Sequence, residues 1–155
     1  MIVRPNKTRI VGIDFGLARL GVALSDESKT IASPLKTIKT ERRTEDTVEK
    51  LLDELVKHGQ ENHYTIEAIV IGLPLMMSGK KGHLADEVTH FVEFLKKQAS
   101  FPIITWDERL TTVQAERSLL ESSLSRKRRS TVVDTVAAAL ILQSYLDCQK
   151  LKPNC

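Results

Sequence analysis

Cysteine is scarce in this chain, and its placement excludes two chemistries at once. The two cysteines, Cys148 and Cys155, lie close together near the C-terminus with no partner elsewhere, so neither a disulfide framework nor a zinc site is indicated. Long apolar runs are also missing. None approaches the roughly 18 residues of a membrane span, and Met1–Lys7 offers no apolar stretch to serve as a secretory signal. A cytoplasmic protein with no membrane partner is the expectation. Neither a P-loop nor the dinucleotide glycine fingerprint occurs, and internal repeats, linkers and low-complexity segments are absent. Charge of one sign is in short supply as well: a net +3 is too small to establish nucleic-acid binding.

What is present describes one soluble globular domain over residues 1–155. A chain of 155 residues with 41% hydrophobic content is long enough to bury a real core. The positive charge is unevenly spread. Arg126, Lys127, Arg128 and Arg129 are consecutive, and Glu41 is followed by Arg42 and Arg43. Such a run is either a solvated loop or a surface for phosphate.

Hydrophobic spacing sets the order of elements. Ile10, Val11 and Ile13 do not alternate with polar residues, which predicts a strand over 8–15 buried on both faces. A tight turn at 16–19 leads to a second strand over 21–25. A third follows over 31–38, interrupted by Pro34 and therefore at or near an edge. Short links make these three antiparallel neighbours. Val48, Leu51, Leu52, Leu55 and Val56 then fall on one face of a helix that opens near Thr44 and closes near Gly59. IEAIVIGLPL (66–75) is a buried strand running into Gly72 and Pro74. Leu84, Ala85, Val88, Phe91, Val92 and Leu95 mark a second helix, and 101–106 a fifth strand. Thr111, with Gln114 in capping-box position, opens a third helix. Val133, Val136, Ala137, Leu140, Ile141 and Tyr145 mark a long C-terminal one. The order β-β-β-α-β-α-β-α-α predicts an α/β fold. Its mixed five-stranded sheet has three antiparallel strands followed by βαβ units, with helices on both faces.

In such sheets ligands gather beyond the carboxyl ends of the strands. Asp14 ends the first strand there. Gly72, Leu73 and Pro74 end the fourth and lead into MMSGKKG, with Gly79 and Gly82; Asp107, Glu108 and Arg109 end the fifth. Asp134 lies in the first turns of the last helix, at the margin of its apolar stripe. Each has a structural alternative. Asp14 can begin an Asp-Phe-Gly turn, and Asp107 or Glu108 can pair with Arg109 or face solvent. Asp134 can be the N3 partner of a capping box with Thr131. Taken together, three carboxylates at one edge repel one another unless divalent cations neutralise them, and hard oxygen ligands suit Mg²⁺ or Mn²⁺. A site of that kind supports phosphodiester cleavage, with the basic run holding the backbone.

The stretches GIDFGLARLGVALSD, IGLPLMMSG, WDERLTT and RKRR with VDTVAAALILQSYL cover nearly the whole chain, and in this order the chain resembles the YqgF/RuvX family. The resemblance implies an RNase H-like fold. It also implies a metal-dependent nuclease acting in 5′-end processing of pre-16S rRNA, with Holliday junction resolution as the alternative. Carried over by position, it makes Asp14, Glu108 and Asp134 the catalytic and metal-binding residues, with Mg²⁺ or Mn²⁺ as cofactor. Gly72 and Gly79 let the backbone approach the nucleic acid closely, and Arg109, Arg126, Lys127, Arg128 and Arg129 contact it. One departure stands out. RNase H-like nucleases commonly carry an acid on the fourth strand, where this chain has Ile-Gly-Leu-Pro. The corresponding acid, Glu108, is one strand spacing further out, roughly 4.8 Å.

Two other classes compete. The Asp-Phe-Gly turn also resembles the phosphate loop of actin-like and sugar-kinase folds, which want two such domains around an ATP cleft. A non-catalytic RNA- or polymerase-binding module would keep the fold and the basic surface, but its carboxylates would repel phosphate. Structured RNA (pre-16S rRNA) and branched DNA both remain open as partners, because phosphate contacts position without specifying. So do a monomer and a homodimer.

Overall fold

The computed structural model describes residues 7–73, 83–107 and 126–151, with the side chains of 83–85 and 126–132 outside that description. Strands β1 (Thr8–Phe15), β2 (Arg19–Ser25) and β3 (Ala32–Lys39) come first. Helix α1 (Thr44–Glu61), strand β4 (Thr65–Leu73), helix α2 (His83–Gln98) and strand β5 (Ile103–Asp107) follow. Helix α3 (Arg126–Leu151) completes the described elements. The predicted helix opening at Thr111 lies outside the described residues.

The sheet order is β3-β2-β1-β4-β5. β1 and β2 pair antiparallel, as do β2 and β3, whereas β1–β4 and β4–β5 are parallel. This is the mixed five-stranded sheet expected from the short early links and the later helical crossovers. β3 is an edge strand. Pro34 sits opposite Ala23, where the β2–β3 register shifts, so its missing N–H falls at an irregularity of an outer strand.

Alternation along the strands divides the core into two layers. Val11, Ile13, Leu20 and Val22 pack with Val48, Leu51 and Leu55 of α1 and with Val88, Phe91 and Leu95 of α2. Burial of such aliphatic and aromatic side chains stabilises by about 1.5–3 kcal/mol each, so this face anchors the fold. Ile10, Ala23 and Val70 face the other way, onto Ala137, Ala138, Ile141, Leu142 and Leu146 of α3. Alanines Ala23, Ala68, Ala137, Ala138 and Ala139 are interspersed among the larger side chains of that layer, and the helix approaches closely. A Cβ on Gly12 would lie 2.6 Å from the Leu142 Cβ and 2.9 Å from the Ala138 carbonyl oxygen.

Two departures from the sequence reading concern α3. It begins at Arg126, not near Val133, so the basic run Arg126, Lys127, Arg128 and Arg129 is the helix's first turn and not a loop. Straight-chain Arg and Lys are good helix formers, and the apolar periodicity that marks Val133 onward does not report on turns preceding the packed stretch. Cys148, near the other end of α3, is disulfide-bonded, a bridge the sparse cysteine content did not predict. Disulfides depend on the approach of two backbones, not on cysteine count.

Candidate acidic site at the carboxyl edge of the sheet

Because β1, β4 and β5 run parallel, their carboxyl ends meet at one edge. Asp14 is the penultimate residue of β1 and is 6% exposed. It is a ladder residue opposite Gly21, so the turn into β2 starts only after Phe15. Its face follows from alternation: Ile10 and Gly12 both point at α3, and Asp14 is next in that series.

Gly21 explains how α3 reaches this point. A Cβ there would lie 2.0 Å from the Asp134 carbonyl oxygen and 3.0 Å from the Asp134 Cβ. Only glycine leaves room for the helix backbone on that spot. Directly opposed residues of an antiparallel pair have Cα atoms about 4.5–5.5 Å apart. The helix therefore seats the Asp134 backbone on Gly21, the ladder partner of Asp14, and Asp14 lies on the face of the sheet that α3 covers.

Asp134 is held by an ion pair in which the Arg19 Nε donates to its Oδ2. Arg19 is the first residue of β2 and belongs to the same face as Gly21 and Ala23. The pair is partly exposed, 38% for the arginine side chain and 23% for the aspartate. Its contribution to stability is therefore that of a screened surface pair, about 0.2–1 kcal/mol. Sequence reasoning passed over Arg19, although a signal was available. Once Gly21 is recognised as a contact point, alternation alone puts residue 19 on the same face.

The capping reading of Asp134 does not survive. With α3 starting at Arg126, Asp134 lies in the third turn, beyond reach of the helix's first free amides. Sequence placed the helix start late, and Thr131 only mimics a cap in that register.

The other candidates divide. Gly72 is the penultimate residue of β4, opposite Trp106 and on the face of Val70. Asp107 ends β5 opposite Leu73. Ile104 and Trp106 pack toward α3, where the Trp106 Nε1 donates to the Ser144 Oγ at 3.1 Å and the ring meets Tyr145 edge-on. Alternation therefore turns Asp107 to the opposite face, with Ile103. Glu108, Arg109 and Gly79 lie outside the described residues, as do the side chains of Arg126, Lys127, Arg128 and Arg129. Among the described residues no group of three His, Cys, Asp or Glu is disposed to hold a metal ion. Asp14 and Asp134 both adjoin Gly21, one as its ladder partner and the other through the helix backbone seated on it. The sheet order confirms that β4 separates β5 from β1, so a group at the end of β5 is about two strand spacings, roughly 9–10 Å, from β1.

Comparison with known proteins places this geometry. Residues 8–148 match the RuvX family, described as a Holliday junction resolvase family. The chain belongs to the RuvX family. A relative from Protochlamydia amoebophila (strain UWE25), named "Putative pre-16S rRNA nuclease", is 59% identical over 144 residues, covering 93% of this chain and 96% of its own. A relative of the same name from Thermoanaerobacter pseudethanolicus is 46% identical over 145 residues, covering 93% and 99%. Among solved structures, T. thermophilus RuvC in complex with a Holliday junction substrate aligns at a TM-score of 0.56 and 15% identity, covering 94% of this chain and 96% of that one. The fowlpox virus Holliday junction resolvase aligns at 0.50 and 13%, covering 90% and 98%. At such identities the likeness concerns the fold, which is RNase H-like, as the family resemblance implied. Among the described residues of this RuvX-family chain, no helix is long and apolar enough to cross a membrane.

Proposed function

We propose that this RuvX-family chain is a divalent-metal-dependent nuclease that trims the 5′ end of pre-16S rRNA in the cytoplasm. The observation that supports the reading is the docking of the Asp134 backbone on Gly21, the ladder partner of the buried Asp14. The names of the relatives at 59% and 46% identity supply the substrate.

The donor set fits Mg²⁺ or Mn²⁺. Asp14 is a carboxylate removed from water at a strand end, an arrangement that is costly unless cations or donors compensate it. Asp14 and Asp134 would hold the metal, with Glu108 as the third ligand. Asp107 faces the other side of the sheet and is the poorer choice for that position. When bound, such a metal supplies activation of a water and charge stabilisation on the phosphoryl oxygens. The protein's own part is orientation. The β1 ladder fixes the Asp14 backbone, and the α3 contact fixes Asp134. Gly72 and Gly79 leave the nucleic-acid backbone room to approach. Arg126, Lys127, Arg128 and Arg129, together with Arg109, supply the positive charge that phosphates require. Their place in the first turn of a helix adds its free amides to that field.

Branched DNA is the second reading, favoured by the description of the matching family. Incubation of the purified chain with pre-16S rRNA and with a synthetic four-way junction, each with and without Mn²⁺, tests both. Mn²⁺-dependent cutting of the rRNA precursor alone supports the proposal. Cutting of the junction alone replaces the substrate, and no cutting of either removes the nuclease reading in favour of a binding module.

A further inference from the structure

Asp134 already has a cation on it, the Arg19 guanidinium. The arginine stands two residues before Gly21 on the same face of β2, which makes it the diagonal neighbour of Asp14, about 7–8 Å away between Cα atoms. Its guanidinium reaches from there to the Asp134 carboxylate. The charge thus enters the same space in which Asp14 and Asp134 would share a metal ion.

We propose that Arg19 is the resident counter-ion of the metal centre. It holds the Asp134 carboxylate in the metal-free protein and gives it up when a divalent cation is taken, so that it positions the ligand and sets the site's affinity. This rests on the metal-site reading of Asp14 and Asp134. The physical basis is direct competition. The Oδ2 lone pair that accepts the charge-assisted bond from the Arg19 Nε is not available to a metal until that bond is released, so bidentate or Oδ2 ligation by Asp134 competes with the ion pair. The pair is weak enough to exchange, being partly exposed on both sides. It is also strong enough to matter: a pair of this exposure changes an equilibrium constant by about 1.5- to 5-fold.

The test is calorimetric titration of Mn²⁺ into the full chain, without substrate. Arg19→Gln is expected to bind Mn²⁺ about two- to fivefold tighter than wild type. Arg19→Lys keeps a cation on that face but lacks the Nε–H, and falls between the two. Lys39, opposite Arg19 on β3 and exposed, is the control for charge alone. Lys39→Gln removes the same charge without touching Asp134, and its affinity stays at the wild-type value. In the Asp134→Asn background, which binds Mn²⁺ more weakly, adding Arg19→Gln brings no further tightening.

If Arg19→Gln equals Lys39→Gln, or binds more weakly than wild type, Arg19 is not a competing counter-ion. The same holds if the gain persists in the Asp134→Asn background. Asp14→Asn separates this failure from a failure of the metal site itself. Binding that depends on Asp14 but ignores Arg19 removes only the counter-ion. Binding that Asp14→Asn leaves untouched removes the metal site and the counter-ion together. Melting curves of each variant establish that the titrated protein is folded, and Arg19→Lys preserves the test if Arg19→Gln is not.

Discussion

Gly21 is the position where one added carbon should cost the most. In Gly21→Ala the new Cβ meets the Asp134 carbonyl oxygen at 2.0 Å and its carbonyl carbon at 2.4 Å. Both are main-chain atoms of a packed helix, so no side-chain rotation relieves the clash. The helix must retreat by about 1 Å merely to reach the 3.0 Å that real contacts tolerate. Overpacking of this kind costs about 1–3 kcal/mol. A backbone obstacle belongs at the upper end, and removing glycine's excess chain entropy offsets about 0.5–1 kcal/mol. The net expectation is a loss of about 2 kcal/mol or somewhat more, a fall in Tm of about 4–12 °C for a chain of this size. The functional loss is larger in proportion. A displacement of about 1 Å at a group that orients a reaction reduces rate by about 10²-fold. Circular dichroism melting reads the first number, and Mn²⁺-dependent cleavage well below both melting points reads the second. Gly59→Ala supplies the control. Its Cβ would lie 2.7 Å from the Tyr64 carbonyl oxygen, at the opposite edge of the sheet, so it should lose stability while keeping its cleavage rate. The reasoning fails if Gly21→Ala melts within 1–2 °C of wild type, or if it destabilises yet cleaves as fast as Gly59→Ala.

Asp14→Asn should abolish Mn²⁺ binding and cleavage while its folded circular dichroism spectrum persists; wild-type cleavage would return Asp14 to a purely structural role. Asp134→Asn should lower cleavage and also lower metal-free stability by about 0.2–1 kcal/mol, because Arg19 loses its partner; a higher metal-free Tm would mean that carboxylate repulsion outweighs the ion pair. Neutralising Arg126, Lys127, Arg128 and Arg129 to Gln should reduce the slope of log affinity against log salt by roughly 0.7–0.9 per lost phosphate contact. The same change should raise Tm slightly, since four cations at a helix N-terminus oppose its dipole; an unchanged slope would leave the run a solvated first turn. Asp26 carries the pH dependence. Backbone amides of Thr30 and Ile31, at 2.7 and 3.2 Å, hold its carboxyl below the ordinary 3.8. A depressed folded pKa contributes stability that is complete above the unfolded value and fades as pH falls through the folded one. The β2–β3 turn should therefore loosen only on the acid side of pH 4, as NMR titration of Asp26 would show. A carboxyl titrating at or above 3.8 would refute it.

The order of elements was legible because local spacing carries it. The unbroken apolar run at Ile10–Ile13 and the helical series of Leu51, Leu55, Phe91 and Leu95 each report the burial of their own element, and short links leave few ways to join the strands. Pro34 marked an edge by what it lacks, a backbone donor. Asp14 was visible as a candidate for the same reason: a charge closing an apolar strand calls for compensation wherever the strand lies. Three features depend on packing between distant segments and have no local signature. The start of α3 is one, since Arg126–Arg129 read equally well as loop or helix until the helix is seen to lie across the sheet. The partner of Asp134 is another, because Arg19 and Asp134 are 115 residues apart in sequence and meet only when α3 crosses β2. The third is the seating of the Asp134 backbone on Gly21, across the ladder from Asp14. Composition and periodicity determined which residues are buried and in what order. The tertiary structure alone decided that Asp134 comes to the end of β1 and β2, because Gly21 is a contact only once a helix backbone fills the space that its missing side chain leaves.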